Sequence, residues 1–352
     1  MPGIIFISDK NRDDFLKNSK TIKEMTKITC HETFYRYVFV DVESMGLHAS
    51  NVYMDHEDPN EKMYVSDDAS LICMLSGEIF GKKELYSRLS NKQSAVSGAD
   101  SASEMITELY RQEGIGFLKN LNGHFNLLLI DKNRKRVIFG NDRMNFHRTY
   151  LWQGQNGSIV VAPEVKCMLR HPEAKLTLNQ DAIAEYFKYD AFIGKSTFYK
   201  EISRLPNASV LILEDNKFEM HEYWSPGSVI RMGELAEKDY LEKSTQTFDS
   251  IIGEYVTPGK TGLSLTGGWD TRTILSVLYS KKIYLPCYTF GGKQKDSYDV
   301  HIAKRLAQET ENLFRKIVIG DAFTKNIEYW ANKAVFVSDG SSRISKSYEY
   351  FV

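Results

Sequence analysis

At Ser225 the pattern of apolar residues changes, and no single layered core accommodates both patterns. Beyond it, helix-like and strand-like runs alternate. LAEKDYLEKSTQTFDSIIGEYV (235–256) is followed by TGLSL (261–265), TRTILSVLYSKK (271–282), IYLPCYTFGG (283–292), SYDVHIAKRLAQET (297–310) and LFRKIVIG (313–320). Such crossovers are long enough for parallel pairing, so this half is expected to be an α/β doubly wound parallel sheet. In these sheets ligands bind beyond the carboxyl ends of the strands. Before Ser225 the β-rich runs are short and bounded by turn residues: YRYVFVDV (35–42), ASLICML (69–75), FNLLLID (125–131), RVIFGND (136–142) and SIVVAPE (158–164). The third and fourth of these runs, 125–131 and 136–142, suggest a hairpin, and ASVLILED (208–215) with KFEMHEYW (217–224) suggests a last pair of strands. Helical periodicity is confined to 101–114 and 178–189. Strands and helices in separate runs imply an α+β layered domain. The polar 225–235 segment, with Pro226 and two glycines, is read as a linker between domains 1–224 and 236–352.

A hydrophobic content of 42% and a charged content of 26% are those of a soluble globular protein. The net charge of -1 gives no electrostatic reason to expect nucleic acid or an acidic membrane surface as partner. Cys30, Cys73, Cys167 and Cys287 form no CxxC pair and have no histidine at metal spacing, which points to thiols in a reducing compartment. The apolar stretch in MPGIIFISDKN is too short for a signal peptide, and no later run would span a bilayer. A cytoplasmic location is expected.

The stretch LSLTGGWDTRTIL (263–275) lies between a strand and a helix of the second half. The neighbouring Gly259-Lys260-Thr261 mimics the end of a P-loop, but Gly253 misses the required spacing by one residue and the GKT precedes the strand. In Thr266-Gly267-Gly268-Trp269-Asp270-Thr271, the glycines remove Cβ atoms that would block a polyphosphate. The helix start offers N–H groups and a favourable dipole, and both threonines carry hydroxyl donors. Asp270 makes chemical sense beside phosphates if it holds Mg²⁺. The residues by themselves equally allow a tight turn with Asp270 as N-cap.

The same six residues resemble the SGGxDS pyrophosphate loop of the ATP-pyrophosphatase superfamily, specifically its asparagine synthetase branch. In order along the first half, LSGEIFGKKEL (75–85) resembles that family's NGEIYNYxEL. The 121–152 segment resembles its LNGxFAFxxxDxxxxxLxxxRDxxGxxPLYY, and VVAPEVKCMLRHP (160–172) its FASExKALLxxP. The resemblance implies an Ntn-hydrolase-like α+β sandwich followed by an adenine nucleotide α-hydrolase-like sheet. It also implies ATP and Mg²⁺ as cofactors. Thr266, Gly267, Gly268 and Thr271 would cradle pyrophosphate, Asp270 would hold the metal, and Leu265 with Phe290 and Gly291 would flank the adenine.

Departures from the family carry equal weight. Its nucleophilic cysteine follows the initiator methionine, whereas this chain begins Met1-Pro2-Gly3. Ser76 stands at the oxyanion asparagine, and Gly46-Leu47-His48 stands where an arginine is due. Ala102 takes the place of an acid. The implied function is therefore an amide-forming ligase that activates a carboxylate as acyl-adenylate, without its own glutamine hydrolysis, as in β-lactam synthetases. An ammonia-dependent asparagine synthetase and a non-catalytic scaffold remain alternatives. The partners would be a small-molecule or peptide carboxylate and an amine donor, and a homodimer is compatible with the resemblance. The family's second motif, SGxGxDE, has no counterpart before Val352, so the second domain is expected to be truncated. Arg272 replaces a small residue.

Overall fold

The computed structural model describes residues 3–9, 15–89, 101–215, 217–230, 233, 235–257 and 259–352. Contacts divide the chain into two units, Met1–Arg231 and Met232–Val352.

The first unit is built on two six-stranded sheets. One has the order β10 (Ile202–Arg204), β8 (Tyr150–Gln153), β9 (Ile159–Ala162), β1 (Gly3–Ser8), β3 (Leu47–Met54), β2 (Tyr35–Val42). The other runs β12 (Lys217–Glu222), β11 (Ser209–Glu214), β7 (Arg136–Asn141), β6 (Asn122–Asp131), β5 (Leu71–Phe80), β4 (Met63–Val65). Every pairing in both sheets is antiparallel. The helices of this unit are α1 (Phe15–Thr29), α2 (Pro59–Lys62), α3 (Lys82–Ser87), α4 (Ala102–Glu113), α5 (Val165–Met168), α6 (Gln180–Tyr189) and α7 (Gly227–Ile230).

Side-chain alternation assigns the layers. Ile4 and Phe6 of β1 meet Ile72, Met74, Leu128 and Phe139 in a core between the sheets. Ile5 and Ile7 turn the other way, against Ile22 and Met25 of α1 and Val165 of α5. Cys73, Leu75, Leu127 and Leu129 pack outward on Met105, Ile106 and Leu109 of α4. Helix, sheet, sheet and helix thus form four layers, the α+β sandwich expected of this half.

The second unit holds a three-stranded parallel sheet, β13 (Leu263–Ser264), β14 (Cys287–Gly292) and β15 (Phe314–Ile319), in that order. Its helices include α8 (Glu237–Glu254), α9 (Trp269–Ser280), α10 (Tyr298–Glu309), α11 (Asp321–Thr324) and α12 (Ile327–Val337). Leu263, Leu265, Leu275, Leu278, Leu285, Cys287, Ala303 and Ala307 make its core. The expected strand 283–292 begins only at Cys287, because Pro286 supplies no N–H and restrains Leu285. Leu285 instead donates its N–H to Asn312 Oδ1 at 2.8 Å. Among the described residues no helix is long and apolar enough to cross a membrane.

One buried polar knot ties the second sheet to its helix. Asp131, 2% exposed, accepts from Tyr110 Oη at 3.0 Å, from the Arg134 N–H at 3.0 Å and from Arg134 Nη1 at 2.9 Å. Burial would raise this carboxyl, but those donors outweigh it and hold it below the usual carboxylate range. A depressed folded value contributes stability that is present above the unfolded carboxylate value and lost as pH falls through the folded one. Asp131→Asn should cost about 1–3 kcal/mol at neutral pH. Urea unfolding should show that penalty shrinking as the pH is lowered below about 4.

Candidate functional site

The Thr266–Thr271 loop connects β13 to α9 beyond the carboxyl end of its strand. Helix α9 begins at Trp269, two residues earlier than its sequence suggested, with Gly268 as its N-cap and no side-chain cap bond. Asp270 is therefore the second residue of the helix and does not cap it. Its carboxylate is exposed and bonded to no other described residue.

Three backbone donors at the start of the loop are spoken for, whereas the Trp269, Asp270 and Thr271 N–H groups open helix α9 with no acceptor among the described residues. The Thr266 N–H donates to Thr271 Oγ1 at 3.1 Å, and the Gly268 N–H donates to Thr266 Oγ1 at 3.1 Å. The two threonine hydroxyls lie 3.2 Å apart. The Gly267 N–H donates to Asp299 Oδ1, 2.9 Å away in the first turn of α10. A Cβ on Gly267 would lie 2.7 Å from that oxygen, so the glycine is what admits the carboxylate. Sequence reasoning missed Asp299. An acid in a helix's first turn is ordinary, and nothing local links it to a loop 32 residues away.

The expected adenine-flanking residues divide. Phe290 and Gly291 sit near the carboxyl end of the neighbouring parallel strand β14. Phe290 is 39% exposed and its ring lies 5.6 Å from that of Tyr348. Leu265 does not offer an open wall. Its side chain is wholly buried in the unit's core, where the parallel β13–β14 pairing draws it in through its N–H bond to Tyr288 O. No cluster of three or more His, Cys, Asp or Glu arranged for a metal occurs among the described residues. A single free carboxylate nevertheless suits Mg²⁺, which takes one or two carboxylates together with phosphate oxygens.

In the first unit, the segment resembling NGE lies on β5. Ser76 pairs with Asn126 of β6, and both share the inter-sheet face with Met74 and Leu128. Gly77 has φ +95°, and a Cβ there would fall 2.0 Å from the His124 carbonyl oxygen, so only glycine fits. Beside it, Lys62 pairs with Glu57, and His124 Nδ1 meets His147 Nε2 at 2.9 Å. Burial, then the neighbouring His124, push the His147 imidazole below its ordinary value. The Oδ1 atoms of Asn51 and Asn126 are buried without a hydrogen-bond partner. His48, at the position of the missing arginine, is no substitute. It is buried on the α1 side of its sheet, bonded to Asp41 at 2.6 Å and to the Phe15 carbonyl at 2.8 Å. Ala102 opens α4, buried behind a Ser101 cap. Met1 and Pro2, where the nucleophile would be, lie outside the described residues.

A family profile described as a glutamine amidotransferase domain matches residues 1–224. The glutamine-hydrolyzing asparagine synthetase 2 of Bacillus subtilis is 23% identical over 226 residues, covering 61% of this chain and 30% of that protein. A putative glutamine-hydrolyzing asparagine synthetase 2 of Methanocaldococcus jannaschii is 23% identical over 274 residues, 77% of this chain and 50% of that one. Amidase chry2 of Gibberella zeae is 25% identical over 191 residues, 53% of this chain and 27% of its own length. The chain thus spans half or less of each of these relatives.

The contact between Gly267 and Asp299 can be tested by coupling. Gly267→Ala should push the carboxylate aside and destabilise the second unit by about 1–2 kcal/mol. Asp299→Ala should then cost less in the Gly267→Ala background than alone, as read from a double-mutant cycle of chemical unfolding.

Proposed function

Because this chain belongs to the glutamine amidotransferase domain family, with asparagine synthetases among its relatives, we propose that it is an ATP-dependent amide-forming ligase whose amidotransferase-like domain does not hydrolyse glutamine. The observation that carries the ligase reading is the unengaged Asp270 carboxylate beside a Gly-Gly turn, at the strand end where open parallel sheets take ligands. A carboxylate substrate would attack the α-phosphate of ATP, displacing pyrophosphate and forming an acyl-adenylate. An amine would then attack the acyl carbon, releasing AMP and leaving an amide.

Asp270 would hold Mg²⁺, whose charge would screen the phosphates. Thr266 and Thr271, already hydrogen-bonded to each other, would keep the loop in one conformation, so that little order is lost on binding. Support for a silent glutaminase comes from Pro2, which has no nucleophilic side chain, and from Ser76 in place of an oxyanion asparagine. The outward-facing, fully bonded His48 offers nothing to a glutamine carboxylate. Nitrogen would come from ammonia or from an amine on a substrate, an ammonia-using asparagine synthetase being one such case.

A second reading, a non-catalytic scaffold, draws on the loop's internal satisfaction: the N–H groups of Thr266, Gly267 and Gly268 all have protein acceptors. Pyrophosphate exchange separates the two. The ligase reading predicts carboxylate-dependent ATP–pyrophosphate exchange that Asp270→Asn reduces by at least a hundredfold without altering the circular dichroism, and no glutamate above the blank from glutamine. Exchange unchanged in Asp270→Asn would refute the assignment of that residue.

A further inference from the structure

The loop has a charge problem that its free N–H groups, at the start of α9, answer only with partial charge. Three consecutive N–H groups, those of residues 266–268, are bonded internally, and Asp299 brings a second carboxylate to the loop at Gly267. A triphosphate entering there needs a cation that the protein has not already neutralised. Two lysines on or just after the other two strands are engaged. Lys316 on β15 pairs with Asp296, and Lys293, just after β14, pairs with Asp321 at 2.9 Å.

Arg272 is different. Its guanidinium carbon lies 4.3 Å from the centroid of the Trp269 ring, one helical turn earlier on the same face. Its Nε donates to the Gly268 carbonyl oxygen at 3.2 Å. The Nη groups are bonded to no other described residue. Trp269 is 79% exposed, an unusual position for an indole in a first helical turn unless the ring serves as a shelf. Stacking and the Nε bond together fix the plane of the guanidinium, so its outward fork is ordered before any ligand arrives. A cation in the first turn opposes the helix dipole, a small cost that an anion bound at this end would reverse.

We infer that Arg272, braced on Trp269 and Gly268, is a polyphosphate-binding residue that adds a full positive charge to the N–H groups at the start of α9. This rests on the ATP-dependent reading above and narrows it: the β- and γ-phosphates are gripped by a side chain as well as by N–H groups. Planar two-pronged bonding to phosphate is what a guanidinium gives and an ammonium does not.

Calorimetric titration of the whole chain with Mg-ATP, Mg-pyrophosphate and AMP tests it. Charged hydrogen bonds of this kind are each worth about tenfold in affinity. Arg272→Gln should therefore weaken Mg-ATP and Mg-pyrophosphate about tenfold or more and AMP less than about twofold, and Arg272→Lys should recover only part of the loss. Trp269→Ala, which leaves the charge but removes the shelf, should weaken Mg-ATP by an intermediate factor. Mg-ATP binding in Arg272→Gln within twofold of the unsubstituted protein overturns the inference alone. An equal loss for AMP and Mg-ATP overturns it too, since the loop would then have collapsed. No binding of any of the three by the unsubstituted protein overturns the ATP-dependent reading and this inference with it.

Discussion

Phe6 and Phe139, one from each sheet, meet at 5.9 Å in the middle of the first unit, and the double burial of both sheets follows from contacts like this one. Each sheet has one face on the other and one face under helices. Its central strands must then be apolar on both sides, which is why β1 carries Ile4, Ile5, Phe6 and Ile7 in succession. Polar residues survive between the sheets where β5 and β6 carry Ser76 and Asn126 beyond the core of Met74 and Leu128. This makes one end of the sandwich polar. Here it holds a paired Lys62 and Glu57 and two histidines in mutual contact.

Much of the layered architecture was legible because uninterrupted apolar runs such as FNLLLID and RVIFGND leave few other folds open. β3 was not. Its LHASNVYM looks polar, yet it is a central strand whose His48, Ser50 and Asn51 are buried with partners from other elements: Asp41 and Phe15, Thr26, and the Lys62 and Leu75 carbonyls. Those partners are distant in sequence, so periodicity alone assigns the strand no face. α1 escaped for a related reason. Its buried side includes Asn18, Thr21, Thr26 and Thr29, residues that sequence patterns class as surface.

The glycine loop shows the opposite balance. Its residues and its site between strand and helix were foreseeable from a short motif, whereas the bonding of Thr266 to Thr271 was not. What the motif hides is occupancy of the Gly267 N–H by Asp299, a tertiary contact that Gly267 permits only because it has no Cβ. Arg272, a departure from the family's pattern, stacks on the exposed Trp269 and donates from Nε to the Gly268 carbonyl oxygen. The two carboxylates and the guanidinium differ in their bonding: Asp299 is tied to the Gly267 N–H, whereas the Asp270 carboxylate and the Arg272 Nη groups are bonded to no other described residue.

The central claim is that the second unit is a Mg-ATP site, and amide hydrogen exchange with and without millimolar Mg-ATP tests it most directly. Ligand that binds the native loop must slow its opening. The account predicts slower exchange in 263–272 and 287–292, with the β1 and β3 amides unchanged. Identical exchange in both segments at saturating Mg-ATP would contradict it.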